Sequence, residues 1–371
     1  MSVRIHVPDE WADVIKMYKE AGIEIPLPDA EAVDVGTLLS SDRKLANKAS
    51  ENQVLKKKVA KLEKDLSDSF ARQEFLDSIK GDKGTLTIRP TSKHLSESVV
   101  FAIASDWHAE ENIDPKTIAG VYNKYNPDIF KSRANRFFSK ITYLTEMVRV
   151  KTKVDTMVLA LLGDMINGYI HEEMVEDNFM SPTEACVLVK KVVKAGIDYL
   201  LANAGIKNLI IPCCWGNHGR TTQKRRIATG AANSFEWLMY KDLEDHYEKD
   251  KRVTFHVADG YHNYLDVYGY TIRFHHGDSL QYGGGVGGIT VPVNKAIAKW
   301  NTIKPAYLDV FGHFHQFIDG GNFICNGSLC GYNSFALSIK AAYERPQQAF
   351  FVIDKKHGKT VVCPIIVEDP K

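Results

Sequence analysis

The stretch VVFAIASDWH, residues 99–108, is an apolar run that stops abruptly at Asp106 and His108. Four more stretches end the same way: TMVLALLGD (156–164) at Asp164, NLIIPCCWGNH (208–218) at Asn217 and His218, TIRFHHGD (271–278) at His275 and His276, and LDVFGHFH (308–315) at His313 and His315. Each run is roughly four to eight apolar residues, the length of a strand buried on both faces. Charged, helical segments separate them, so the pattern predicts a layered α/β domain. The later runs NFICNGS (322–328), AFFVID (349–354) and TVVCPIIV (360–367) have no long helix between them. They read as neighbouring antiparallel strands and predict a second sheet.

Residues 1–92 differ from residues 93–371. DEWADVIKMYKEAG (9–22) reads as a short capped amphipathic helix closed by Gly22, and the proline-punctuated IEIPLPDAEA after it reads as loop. From Ser40 a charged helical stretch begins in which Leu45, Asn52, Val59 and Leu66 fall seven apart, with Leu55 and Leu62 interleaved. This a/d pattern predicts a coiled coil and a homodimer, with Asn52 suited to fixing the register. Lys48 and Ser69 interrupt the seam, and a single exposed helix is the alternative. KGDKGTLT (80–87) reads as a flexible exit, which puts the domain boundary near residue 92.

The chain has 371 residues, enough for two domains or for one large domain with an appendage. No apolar run reaches the length of a spanning helix and the start MSVRIHVPDE is not of the secretory kind, so a soluble cytoplasmic protein without membrane partners is expected. The six cysteines form no C-x-x-C pair and read as reduced core thiols. With 47 basic against 46 acidic residues, net charge says nothing about nucleic acid, and any such partner must be argued from local clusters.

In an open α/β sheet, functional groups collect at the carboxyl ends of strands, where the loops converge. Here five strand ends each supply a group able to bind metal. On a strand the two histidines of His313-Phe314-His315 would share a face, which permits a common site, but such a pair on its own is more often two satisfied surface or core histidines. Five strand ends mixing carboxylate, amide and imidazole are hard to explain as core polarity. A donor set of nitrogen and oxygen without thiolate suits manganese, iron, zinc or nickel.

The ordered set Asp106-x-His108, Gly163-Asp164, Gly216-Asn217-His218, His276-Gly277 and Gly312-His313-x-His315 resembles the calcineurin-like metallophosphoesterase family over roughly residues 98–330. CNGS (325–328) is similar to the loop that follows the last block in many members. The resemblance implies an α/β/β/α sandwich and two divalent ions, manganese first, with iron, zinc, nickel or magnesium as alternatives. Asp106, His108 and His315 would hold one ion, Asn217, His276 and His313 the other, and Asp164 would bridge them. Two ions about 3.5 to 4 Å apart can share a hydroxide that attacks phosphorus in line. His218, in the catalytic block with Asn217, would protonate the leaving oxygen. His276 is preferred to His275 as ligand because it sits at the glycine. Where many members carry Asp or Glu after the Gly-Asn-His block, this chain has Gly219, so the carboxylate that would tune His218 is unidentified, with Asp278 a candidate.

For substrate, Arg220 in GRTTQKRR (219–226) could reach a phosphate, as could Arg133 in KSRANRFF (131–138), which equally fits a salt-bridged helix face; His171 in HEE (171–173) could line the entrance. The glycine run at 282–288 fits a lid or a simple turn. The block texture is similar to DNA-repair-type exonucleases and their bacteriophage-encoded relatives, which implies a nuclease acting on DNA, in the host cytoplasm if phage-encoded. A phosphatase, a cyclic-nucleotide or small-molecule phosphodiesterase, and a non-catalytic assembly protein are the alternatives.

Overall fold

The computed structural model describes residues 12–22, 56–60, 85–91, 96–118, 120, 122–281, 288–338 and 340–368. The chain divides into two compact units, Met1–Arg72 and Gln73–Lys371. In the first, helix α1 spans Ala12–Glu20 and residues 56–60 are helical. Val59 is exposed; the other heptad positions, and the exit up to Gly84, lie outside the described residues.

The larger unit is built on two six-stranded mixed sheets. In the first, β2 (Ser98–Ala104), β3 (Thr156–Leu161), β4 (Asn208–Cys213) and β5 (Val253–Val257) run parallel in that order. The antiparallel pair β11 (Gln347–Asp354) and β12 (Gly358–Ile366) extends it beyond β2. The second sheet has the order β1 (Leu86–Ile88), β6 (Asn263–Val267), β7 (Tyr270–Phe274), β8 (Leu308–Phe311), β10 (Phe323–Cys325) and β9 (Ile318–Asp319).

Alternation along the strands makes the layers. On β2, Val100, Ala102 and Ala104 pack beneath the helices, while Val99, Phe101 and Ile103 face the second sheet. Phe101 stacks on Phe351 of β11 with ring centroids 4.4 Å apart, an arrangement worth about 0.5–1.5 kcal/mol beyond its area. Helices α2 (Pro127–Arg149), α4 (Pro182–Asn203) and α5 (Phe235–His246) cover the first sheet, and the short α3 (Glu172–Asp177) precedes α4 in the chain. Each covering helix starts where its sequence supplies a cap: Asn126 followed by Pro127, the reciprocal Ser181–Glu184 box, and Ser234. Helix α6 (Thr290–Trp300) covers the outer face of the second sheet through Val293, Ile297, Phe311 and Phe323. The result is the expected α/β/β/α sandwich.

The sheets divide the strands differently from the expectation. AFFVID and TVVCPIIV are antiparallel neighbours, but they belong to the first sheet, whereas Phe323–Cys325 pairs parallel with β8 in the second. Phe323–Cys325 and Gln347–Asp354 are buried throughout, and the edge strand β12 is apolar although partly exposed, so composition does not reveal which sheet a strand joins. Part of the expected flexible exit is a strand too: Leu86–Ile88 pairs with β6 and so joins the second sheet.

Candidate metal centre

The loops leaving β2, β3, β4, β7 and β8 meet at one end of the sandwich. Backbone bonds stitch them together: Asp106 N–H donates to Gly163 O, and Trp107 and His108 N–H both donate to Asp164 O. Gly163 and Gly216 touch backbone to backbone, since a Cβ on Gly163 would lie 2.3 Å from Gly216 N. Among the described residues seven non-glycine positions have positive φ, and five are Asp106 (54°), His108 (43°), Asp164 (50°), His313 (70°) and His315 (55°). Such conformations cost of order 1–3 kcal/mol each and persist where the surroundings over-determine them, commonly at functional sites.

Two groups of side chains result. Ligand-type atoms of Asp106, His108 and His315 lie within 4.8 Å of one another, and so do those of Asp164, His276 and His313. His108 Nδ1 faces Asn167 Oδ1 at 3.0 Å, which assigns the proton to Nδ1 and turns the Nε2 lone pair toward His315 Nε2, 3.1 Å away. His276 Nδ1–H donates to Leu162 O, and its Nε2 points at Asp164 Oδ2 (2.8 Å) and Asn217 Oδ1 (3.1 Å). Fixing one imidazole nitrogen on an oxygen so that the other is presented inward is how metal-ligating histidines are held. Asp106 accepts from His313 N–H at 3.0 Å and from Ser105 Oγ at 2.5 Å; Ser105 in turn accepts from Asn326 Nδ2 of the CNGS loop.

Burial lowers His108 to about 3 and His313 to about 4 and holds His315 well below its ordinary value, so all three are neutral imidazoles, the form that binds metal. Burial also pushes Asp106 up to about 8, against the pull of His276. At His276 burial would act downward, but the Asp164 carboxylate overrides it and raises the group to about 10. A proton on His276 thus neutralises Asp164 at the point where Asp164, Asn217 and His276 converge. The donor set fits divalent cations: in the second group the His276 proton stands where a cation would balance Asp164, and in the first group His315 Nε2 faces His108 Nε2 at 3.1 Å and Asp106 Oδ1 at 3.5 Å, donors that a shared cation would satisfy.

His218 lies at the edge of both groups. Its backbone N–H donates to Asp164 Oδ1 (2.8 Å), its Nδ1 donates to Asn167 O (2.8 Å), and its Nε2 stands 3.9 Å from Asp164 Oδ2. A backbone carbonyl therefore orients this ring, and Asp278 instead pairs with Arg225 and accepts from Tyr261. His275 points away from the centre, into the rings of Tyr261, Trp300 and Phe311, 3.5 Å from Asp309.

A cleft of about 370 Å³ opens over the centre, lined by His108, Asp164, Asn217, His218, His313 and His315, with His171, Glu173 and Phe335 among its walls. A second groove, lined by Tyr169, Arg220, Thr222 and Gln223, also includes His218 in its lining. Arg220 lies in that groove, but its guanidinium donates to the carbonyls of Asn217, Thr222 and Gln223 and so braces its own loop. Arg133 does not fit the substrate contact expected of it. It is buried, donates to the carbonyls of Leu329 and Cys330 and to Asn123, and pairs with Glu368. Its helical position was legible in the sequence; the face it turns inward was not. The residues missed by sequence reasoning are Asn167, which orients both His108 and His218, and Glu236, a fully buried carboxylate of α5. Asn167 lies three residues past Asp164, but no spacing marks Glu236. The glycine run at 282–287 lies outside the described residues.

The sequence matches no family model and no curated protein. Among solved structures it is similar to a hypothetical protein from Pyrococcus horikoshii (11% identity, 72% of this chain and 88% of that one, TM-score 0.35). It is also similar to Vps29 from Chaetomium thermophilum (10%, 72% and 95%, TM-score 0.26) and to a hypothetical protein from Thermus thermophilus (9%, 72% and 97%, TM-score 0.25). What the site can do is therefore argued from its own geometry.

Proposed function

We propose that the chain is a metal-dependent phosphoesterase that hydrolyses phosphodiester bonds. The observation that carries this reading is the convergence of two Asp/His groups, with Asn217 beside one of them, next to His218 in a single cleft. Asp106, His108 and His315 would hold one divalent ion, Asn217, His276 and His313 a second, and Asp164 would lie between them, in keeping with the resemblance to calcineurin-like metallophosphoesterases. When bound, such ions supply Lewis acidity at a phosphoryl oxygen and a water that is nucleophilic at neutral pH.

The chain's own residues do the rest. The Nδ1–H bond to Asn167 O fixes the His218 ring with Nε2 free to carry a proton to the leaving oxygen. Burial lowers His218 below its ordinary value and the neighbouring Asp164 offsets this only in part, so the resting ring is neutral and Nε2 must take up a proton before it can deliver one. The two grooves meeting at His218 support an ester with two organic arms, hence a diester.

DNA is the diester proposed for test, with the exposed Lys224 and Arg226, which follow Gln223 of the second groove in the chain, as its support. Manganese is the ion proposed, and dimerisation through the heptad stretch is proposed from its pattern alone. The test follows purified protein with Mn2+ against an end-labelled DNA duplex, a single strand and bis-p-nitrophenyl phosphate, with His218→Ala as control. Polynucleotide cleavage lost in the variant supports the nuclease reading. Cleavage of the small diester alone keeps the phosphoesterase and removes DNA, and no cleavage of any substrate by Mn2+-loaded protein contradicts the reading.

A further inference from the structure

Glu236 belongs to neither metal group and touches no part of the cleft, yet it is fully buried at the second position of α5. Its Oε1 accepts the N–H of Met165 at 2.5 Å and lies 3.4 Å from that of Ile166, on the turn immediately after Asp164. Its Oε2 accepts the N–H of Gly216 at 2.7 Å, immediately before Asn217. One carboxylate thus joins the loop that carries Asp164 to the loop that carries Asn217 and His218. A lone buried anion costs several kcal/mol unless its oxygens are satisfied, and here backbone donors from the two loops satisfy them.

The surrounding sequence is shaped to admit this side chain. A Cβ on Gly219 would lie 2.7 Å from Glu236 Cγ and 3.0 Å from Cδ, so the carboxylate arm occupies the space in which a side chain at 219 would begin. Phe235 N–H donates to Gly219 O, and Arg220 bridges Ser234, which fixes the start of α5 against the residues after His218. The Glu236 carboxylate, delivered from the first turn of α5, thus occupies the space beside Gly219.

We infer that Glu236 is a positioning residue for the metal centre: by clamping the turn after Asp164 to the turn before Asn217 it sets the spacing of Asp164 from Asn217 and His218. This rests on the metal-centre reading above. Glu236→Gln is nearly isosteric but turns one oxygen into an NH2 facing a backbone N–H, so one loop is released. Because backbone bonds also support folding, stability alone does not distinguish positioning from a structural role; metal affinity does.

The experiment is calorimetric titration of Mn2+ into metal-free full-length protein, with thermal unfolding of the same samples and kcat and KM for bis-p-nitrophenyl phosphate. Glu236→Gln is expected to weaken Mn2+ binding about 10–100-fold and to lower kcat at little change in KM, the size of effect usual when a group supporting metal ligands is lost. Gly219→Ala, which leaves the carboxylate intact but crowds it, is expected to weaken Mn2+ binding in the same direction and carries the test if the first variant does not fold. Unchanged Mn2+ affinity in a folded variant, whatever happens to its melting temperature, overturns the inference and leaves the metal centre standing. Absence of Mn2+ binding by the unaltered protein overturns both.

Discussion

His218 has a ring fixed by a carbonyl and an Nε2 free toward Asp164, so its contribution depends on how badly the departing oxygen needs a proton. His218→Asn is expected to cost about 10²–10⁴-fold in kcat on an alkyl phosphodiester and much less on a p-nitrophenyl ester, whose leaving group departs unprotonated. Equal losses on both would remove His218 from proton transfer. The ligand-type residues were legible because abrupt polar endings to apolar runs are a one-dimensional signal. Arg133 and Arg220 were not, since whether a guanidinium faces solvent or the carbonyls of a neighbouring loop depends on contacts distant in sequence, such as Arg133 with Leu329 and Cys330. Asn167 and Glu236 escaped for the same reason, since Asn167 reaches His108 through its side chain and His218 through its carbonyl, and Glu236 reaches two loops through their N–H groups, contacts that no motif records.

At the scale of elements, the centre is held by loops in direct contact. Gly163 has φ +83°, and a Cβ there would meet Gly216 N, Gly216 Cα and Trp215 C within 2.8 Å. Gly163→Ala is therefore expected to destabilise the fold by about 2 kcal/mol or more, through left-handed strain plus the forced separation of two loops, measurable by denaturant unfolding. A loss under about 0.5 kcal/mol would mean that the loops part freely. The strands themselves were legible from their length and apolarity, but their distribution between sheets was not. Phe323–Cys325 and Gln347–Asp354 have similar apolar character yet lie in different sheets, because burial between layers erases the polar alternation that would show which face each strand presents.

Over the whole molecule, buried titratable groups tie stability to pH in two opposed ways. Burial raises Asp106 to about 8, Glu110 to about 8, and Glu111 and Glu236 to about 7, so the folded state binds their protons more tightly and their contribution is lost as pH rises toward 8. Burial lowers His108 and His262 to about 3 and His313 to about 4, so the unfolded state binds their protons more tightly and that contribution is lost as pH falls below 6.5. The metal-free protein is therefore expected to melt lower at pH 8 than at pH 6.5, because over that range the histidine contribution is complete and the carboxyl contribution is still being lost, read by thermal scans across it. Mn2+ at about 100 times its dissociation constant should add about 2.7 kcal/mol per site, and at one fixed Mn2+ concentration the gain should be larger at pH 8, where proton competition for the ligands is weaker. A melting temperature that climbs steadily from pH 6.5 to 8 without metal would contradict the buried carboxyls' role.

The most direct measurement is the metal content of the protein after loading with Mn2+ and gel filtration, alongside Asp164→Ala. Two ions per chain, falling sharply in a folded Asp164→Ala variant, are expected if the two Asp/His groups form one centre around Asp164. A folded, unaltered protein that retains no metal, or a variant that retains as much as the parent, would contradict it.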